Sequence, residues 1–418
     1  MHDYIRRHLD SALSDLLGAF PALMITGPRG CGKTTTAQAH ASSVMRLDDA
    51  QQAAAFGGGP DAFLASAPRP LLIDEWQEVP ASLSAVKRAV DQDYSPGQFL
   101  ITGSVRSRLL VGTWPGTGRV IPVRMWGLTQ AELIGRPTLS VEWLWSPSAL
   151  RPAIVQQSTS IMDYIELALS GGFPEGAAVP EHHRRQWYAA YIEHLVDRDT
   201  EPLAAVRNSG GLNRLLSAVG LNTAGLPSVA SLAQAAQIDQ RTAGNYLDII
   251  EDLRVVQRVR PWFRNQLTSL VKTPKYYVTD SGLAAALAKA DRSKMMRDGT
   301  LLGRLIDTFV AAQLRPLIDL SKPRIELMHL RDSKGRVEVD MVLESPDRGI
   351  VGIEVKAAAA VSPHDARHLA WLRDSIGDEF AAGYVLHTGP AVFHLGERIW
   401  ALPIAALWQP ELALERSA

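Results

Sequence analysis

LMITGPRGCGKTTT, residues 23–36, runs an apolar stretch into a glycine-rich turn and then into a helix-forming segment. Gly27, Gly32, Lys33 and Thr34 fit the spacing G-x-x-x-x-G-K-[ST], in the strand–loop–helix setting that the pattern requires. Glycines let the backbone curl until its N–H groups converge on phosphate oxygens, and the positive end of the following helix adds to the attraction. On this reading Gly27, Pro28, Arg29, Gly30, Cys31, Gly32, Lys33, Thr34 and Thr35 form a phosphate loop for ATP. Lys33 would neutralise the β- and γ-phosphates, and Thr34 would be a ligand of Mg²⁺. A glycine turn matching by chance would not bring the strand and helix with it.

Downstream, LLIDEWQ at Leu71 ends an apolar run on two acids. Asp74 is expected to hold the magnesium ion and Glu75 to act as general base on the attacking water. An acidic pair opening a helix is the alternative, and the phosphate loop upstream argues against it. QFLITGSVRS at Gln98 is a further strand with a polar end. Thr102 or Ser104 would contact the γ-phosphate or orient water, although a turn explains them equally well. Arg119, after the PGTG loop, is a candidate arginine finger in cis or in trans; a solvated arginine at a strand start accounts for it as well.

The apolar runs LMIT, VMRL at Val44, LLID, FLIT and VIPVRM at Val120 alternate with helical stretches. Buried parallel strands covered by helices on both faces look like this, which predicts a doubly wound α/β domain over residues 1–145. Residues 146–226 are expected to be a helical linker region, entered through a Pro-, Ser- and Trp-rich stretch. In 227–295, SVASLAQAAQIDQRTAGNYLDIIEDLRVV has apolar positions suited to a short helix, a turn near Ile238 and a longer helix, followed by strand-like RVVQRV and KYYVTD. That order predicts a winged helix. Arg254, Arg258, Arg260, Arg264, Lys272 and Lys275 cluster about the wing, and Gln240, Arg241 and Asn245 lie on the second helix, an arrangement able to meet DNA. Use of the same module for protein docking fits as well.

The chain has 418 residues, 46% hydrophobic and 21% charged, with a formal net charge of −1. No global field draws it to nucleic acid, so DNA contact would need a local basic patch. A single cysteine, Cys31, excludes an internal disulfide, and no apolar run approaches a membrane span. A cytoplasmic protein without membrane contact is expected.

In 296–418, VEVDMVLESPDRGIVGIEVKAA places Asp340 on one strand and Glu354 and Lys356 on the next. Residues two apart on a strand share a face, so two acids and a lysine converge. Two carboxylates could be Mg²⁺ ligands, with Lys356 as a catalytic cation; a surface ion pair is the plainer alternative.

GPRGCGKTT, LLIDEWQ, FLITGS, GGFPE at Gly171, KYYVTDSGL at Lys275, LGRLIDTFVAAQL, EVDMVL and IEVKA occur in an ordered set. With these marks the chain resembles a family of bacterial and archaeal ATP-binding proteins that join an AAA-type ATPase domain to an uncharacterised, DUF4143-like C-terminal region. The resemblance covers nearly the whole chain. It implies a winged helix followed by a restriction-endonuclease-like α/β domain, with Asp340, Glu354 and Lys356 on the D…E-x-K pattern of nucleases. Two positions depart from the family: Asp307 stands where Glu is common, and Trp76 where an aliphatic residue is usual. The function expected is a Mg-dependent ATPase coupling nucleotide state to a DNA-binding or nuclease-like module; the alternative is a nucleotide-gated protein-interaction switch with an inactive nuclease-like fold. A homo-oligomer or a protein partner is compatible with either.

Overall fold

The computed structural model describes residues 4–103, 118–136, 139–155, 159–197, 208–263, 273–332 and 335–414. The N-terminal unit comprises α1 (Leu9–Leu17), β1 (Ala22–Thr26), α2 (Lys33–Ala39), β2 (Ser43–Arg46), α3 (Ala50–Gly58), α4 (Pro60–Ser66), β3 (Leu71–Asp74), α5 (Ala81–Gln92), β4 (Phe99–Gly103), β5 (Val120–Arg124) and α6 (Gln130–Leu133). The five strands form one sheet in the order β2-β3-β4-β1-β5, and every pair is parallel. All five apolar runs are therefore the expected strands.

Alternation along those strands divides the core. Leu71, Ile73, Phe99 and Ile101 point to one face, packed with Phe56, Leu83 and Val86. Leu23, Ile25, Leu72 and Leu100 point to the other, where the same core continues into Leu9, Tyr188, Leu212 and Leu305. A strand buried on both faces needs an uninterrupted apolar run, which is why these segments show no polar alternation.

Residues 139–155 are not a free linker. The short strand β6 (Ala153–Ile154) pairs antiparallel with a strand of the C-terminal sheet. Leu144 is fully buried, its carbonyl accepts from the Tyr384 hydroxyl at 2.6 Å, and Trp145 Nε1 donates to Gly349 O at 3.0 Å. The stretch is a strap across the far end of the chain. Its tryptophans, which gave it the look of an irregular connection, are what pack it down.

The helical unit follows: α7 (Ile161–Ser170), α8 (Pro174–Ala178), α9 (Glu181–Asp197) and α10 (Ser209–Leu221). Next come α11 (Val229–Ala236), α12 (Gln240–Asp252), the antiparallel pair β7 (Val256–Val259) and β8 (Lys275–Val278), α13 (Ser281–Leu287) and α14 (Arg292–Arg297). The Asp239 side chain caps α12 by accepting from Thr242 N at 2.9 Å. Two helices and a hairpin thus stand where the sequence places them.

The C-terminal unit opens with the 22-residue α15 (Gly299–Leu320). There follow β9 (Glu326–Arg331), β10 (Glu338–Ser345), β11 (Gly349–Lys356), α16 (Arg367–Ile376), β12 (Phe380–His387), β13 (Ala391–Gly396) and β14 (Ile399–Pro403). The sheet order is β6-β13-β14-β12-β11-β10-β9, with β9, β10 and β11 antiparallel and β12 parallel to β11. Phe309, Val310 and Leu314 of α15 cover one face of this sheet and Leu369 and Leu372 of α16 the other. Among the described residues no helix is long and apolar enough to cross a membrane.

Candidate functional site

The phosphate loop leaves the C-terminal end of β1 and enters α2 at Lys33. Gly32 has φ 96°, a left-handed conformation that glycine adopts without steric cost, and this turns the chain into the helix. Lys33 is buried, and its ammonium donates to the carbonyls of Gly27 (3.2 Å) and Pro28 (3.0 Å). The Thr34 hydroxyl lies 2.8 Å from Asp74 Oδ1, and Thr102 Oγ1 also donates to that oxygen. Thr102 reaches it because β4 lies between β1 and β3. A hydroxyl and a carboxylate side by side next to a phosphate loop are hard oxygen donors of the kind magnesium takes, so Thr34 and Asp74 fit the ion.

Glu75 has φ 52°, left-handed although it is not glycine. Such a residue carries a local cost of about 1–2 kcal/mol. Its carboxylate lines the same cavity, of about 830 Å³, as Lys33 and Thr34. Gln77 Nε2 donates to Glu75 Oε2. Burial pushes the Glu75 carboxyl up, against the Gln77 hydrogen bond and the Lys33 ammonium, which favour its charge. Trp76 is fully buried where an aliphatic residue was expected. Gly103 makes the room: a Cβ there would lie 2.4 Å from the indole Nε1.

The opposite wall of the cavity was not foreseen. It comes from Tyr4, Ile5 and Arg7 before α1 and from Pro174, Glu175 and Val179 around α8. GGFPE marked that second segment in the sequence but gave no role. Tyr191 on α9 donates its hydroxyl to Arg29 O at 3.0 Å. Arg7 is buried and holds three acceptors: Glu132 Oε1 (3.1 Å), Cys31 O (3.0 Å) and Trp126 O (2.6 Å). The Cys31 thiol is buried and packs into the shared core, so this residue serves the loop through its backbone.

Arg119 corrects one expectation. It precedes Val120, which pairs with Ala22 at the start of β1, whereas the phosphate loop follows Thr26 at its end. With about 3.3 Å per residue, Arg119 sits roughly 15 Å down the sheet from the phosphates. It cannot be a finger in cis, and its Nε donates to Asp91 Oδ1 at 2.7 Å. Ser104 lies outside the described residues.

Around the hairpin, Arg258 is paired with Glu251 and Asp248, and Arg260 with Glu326. Lys275 opens the hairpin strand β8 but offers no charge to solvent: it is 1% exposed and its ammonium points inward. Arg264 and Lys272 lie outside the described residues. The exposed face of α12 does carry Gln240, Arg241 and Asn245.

In the C-terminal sheet, the register that sets Met341 against Ile353 brings Asp340 opposite Glu354. Lys356 Nζ lies 3.2 Å from Glu354 Oε2, as the two-residue spacing implies. Burial, with Asp340 facing it, pushes the Glu354 carboxyl up to about 7. Lys275 Nζ reaches Asp340 Oδ1 (2.9 Å) and Asp307 Oδ2 (2.8 Å), and the Tyr277 hydroxyl donates to Asp307 Oδ1 at 3.0 Å. Asp307 thus joins the cluster despite its short side chain. Among the described residues no group of three or more His, Cys, Asp or Glu is arranged to hold a metal ion.

One helix connects the two sites. On α15, Gln313 Oε1 accepts from Gln130 N at 2.7 Å and Asp319 Oδ2 from Trp126 Nε1 at 2.8 Å. Asp307 lies on the same helix. Gln130 shares α6 with Glu132, the partner of Arg7.

Three family models match successive parts of the chain. Residues 19–134 match the model of an AAA domain, 161–294 a domain of unknown function (DUF8612), and 302–407 a domain of unknown function (DUF4143). The chain is 26% identical over 403 residues to the uncharacterized protein Rv2008c of Mycobacterium tuberculosis, spanning 95% of this chain and 83% of that one. The uncharacterized protein Mb2031c of Mycobacterium bovis matches to the same extent. Among solved structures, the Walker-type ATPase PABY2304 of Pyrococcus abyssi aligns over 69% of this chain and 98% of its own, with 13% identity and a TM-score of 0.42. DnaA of Aquifex aeolicus bound to AMPPCP aligns over 58% and 85%, with 16% identity and a TM-score of 0.24. The AAA domain and the DUF4143 region implied by the resemblance are thus both matched, in that order along the chain. The two structural alignments are too loose to add to that.

Proposed function

We propose that the chain is a Mg-dependent ATPase whose nucleotide state is passed through α15 to a C-terminal module that binds another protein. The observation that carries the ATPase reading is the convergence of Lys33, Thr34 and Glu75 on one cavity at the ends of β1 and β3, with the Asp74 carboxylate 2.8 Å from the Thr34 hydroxyl. Lys33 would leave the Gly27 and Pro28 carbonyls for the β- and γ-phosphates, and loop N–H groups would take the remaining oxygens. Magnesium, held by Thr34 and Asp74, supplies charge neutralisation on the phosphates when bound. Glu75 would take the proton of an attacking water, a role supported by burial, which raises its affinity for a proton.

Two observations support a protein partner over DNA cleavage. The hairpin arginines Arg258 and Arg260 are neutralised by the chain's own acids. The acids of the C-terminal sheet are engaged by Lys275 and Lys356. The order helix, three antiparallel strands, helix, parallel strand supports a restriction-endonuclease-like fold for this module, serving as a platform. The second reading, a DNA-responsive ATPase with a winged helix, is favoured by the exposed Gln240, Arg241 and Asn245 on α12.

The test is binding and turnover measured separately. Mg-ATP at about 100 times its Kd should stabilise the wild type by roughly 2.7 kcal/mol, read as a rise in melting temperature. Lys33→Ala should show no rise. Glu75→Gln should keep the rise and lose turnover by roughly 10²–10⁴. Hydrolysis at the wild-type rate by Glu75→Gln sinks the assignment of the base. Stimulation by double-stranded DNA would move the choice to the second reading.

A further inference from the structure

Three carboxylates stand together in the C-terminal unit: Asp307 and Glu354 are buried, and Asp340 is partly exposed, its side chain at 19%. A fold carrying this pattern would be expected to hold a divalent cation. Such an ion needs oxygens free to coordinate it, and nearly all of these are already engaged. Asp340 already accepts from Lys275 Nζ on Oδ1 (2.9 Å) and from Val355 N on Oδ2 (3.0 Å). Asp307 accepts from Lys275 Nζ on Oδ2 (2.8 Å) and from the Tyr277 hydroxyl on Oδ1 (3.0 Å). Lys275 Nζ also lies 3.3 Å from Asp340 O. Glu354 Oε2 takes Lys356 Nζ, and its Oε1, the one oxygen of the three acids without a hydrogen bond, has His368 Nδ1 3.7 Å away.

Charge gives the same answer as geometry. Lys275 and Lys356 touch the acids directly. Arg315, 2% exposed, stacks 4.7 Å over the Tyr277 ring whose hydroxyl holds Asp307. Three acids therefore face Lys275, Lys356 and Arg315, with the His368 imidazole beside Glu354 as a further basic group. Adding a divalent ion would leave two positive charges in excess in a buried place, and seating it would strip the partners from a fully buried ammonium. Magnesium also demands near-ideal octahedral oxygen geometry and sheds water reluctantly, which oxygens already committed to N–H and O–H donors do not offer.

We infer that the Lys275 ammonium is the resident cation of this cluster, that the cluster binds no divalent metal, and that its role is to fasten the β7–β8 hairpin to the seven-stranded sheet. The inference is separate from the ATPase reading, which concerns other residues. It turns what would be a hydrolytic centre into an electrostatic clamp between two structural units. It also gives Lys275 a reason to be buried, since its partners lie 32 and 65 residues away on α15 and β10.

The experiment is a titration of the nucleotide-free full-length chain with Mn²⁺ by calorimetry. Wild type should show no saturable site at the C-terminal cluster with Kd below about 1 mM. A saturable site lost in both Asp340→Asn and Glu354→Gln but kept in Asp74→Asn would overturn the inference. A site lost only in Asp74→Asn belongs to the phosphate loop and agrees with it. Lys275→Met, which frees the acids, should melt below the wild type and gain a Mn²⁺-dependent rise in melting temperature that Lys275→Met/Asp340→Asn lacks. A Lys275→Met protein that melts with the wild type and gains no Mn²⁺ response also overturns it. Should Lys275→Met fail to fold, the wild-type titration decides alone.

Discussion

Replacing Arg7 with methionine keeps the length of the side chain and removes its charge. Three bonds disappear with it: to Glu132, to the Cys31 carbonyl in the phosphate loop and to the Trp126 carbonyl. Both members of the Arg7–Glu132 pair are almost fully buried, at 5% and 2% side-chain exposure. Breaking a buried pair from one side costs about 3–5 kcal/mol. Glu132 keeps the N–H groups of His8 (2.7 Å) and Thr129 (2.8 Å), which favours the lower figure, about 3 kcal/mol. At roughly 2–4 °C per kcal/mol for a domain of this size, the N-terminal unit should melt about 6–12 °C lower. The bond to Cys31 O is different in kind, because it holds the loop in shape for phosphate. One hydrogen bond to a charged donor, about 1.5 kcal/mol, corresponds to roughly tenfold in Kd for Mg-ATP. Scanning calorimetry gives the first quantity and titration calorimetry the second. Lys322→Ala is the matched control: its pair with Asp15 is 76% and 64% exposed, and both readouts should stay at wild type. An Arg7→Met protein that melts with the wild type and binds Mg-ATP within about twofold of it would refute the reasoning.

The Cys31 thiol should resist iodoacetamide in the folded protein and react once it is unfolded, because it is buried in the shared core; labelling at the native rate without loss of structure would contradict this. Cys31→Ala should bind Mg-ATP as the wild type does, since only the backbone of this residue serves the loop. Replacing Arg258 and Arg260 together by alanine should leave any affinity for duplex DNA, and the slope of log affinity against log salt, unchanged, because their charges are already matched by Asp248, Glu251 and Glu326. A slope falling by about 1 for each arginine removed would restore the hairpin as a phosphate-binding surface.

What the sequence disclosed and what it withheld follow from the range of the interactions. The phosphate loop, the strand ending at Asp74 and the cross-strand placement of Asp340 and Glu354 are local: a strand, a turn and a period of two fix them. Thr34 meeting Asp74 needs only the knowledge that β1 and β3 are parallel. Arg7 is another matter, since its partner Glu132 lies 125 residues away and nothing in IRRHLD distinguishes it from its neighbour Arg6. Lys275 was assigned to the wing because it adjoins other basic residues; burial between Asp307 and Asp340 is decided by tertiary packing that charge counting cannot reach. Arg258 and Arg260 read as unpaired charge in the sequence for the complementary reason, their acids coming from α12 and β9. For Arg119, direction bears on the cis arm alone: a residue before a parallel strand lies at the end of the sheet away from the loops that follow the strands, which leaves a finger in trans as the expectation.

The strap of residues 139–155 has a bearing on how the chain is made. Its Leu144 carbonyl waits for the Tyr384 hydroxyl, 240 residues later. At about 5–20 residues per second, a ribosome takes roughly 10–50 s to deliver that partner. Through that interval Trp143, Leu144 and Trp145 face the cell without the sheet they pack on, inside a chain whose ATP-binding domain has already emerged. A chain truncated before β12 lacks the Tyr384 hydroxyl and the strand it stands on, and leaves that apolar seam uncovered.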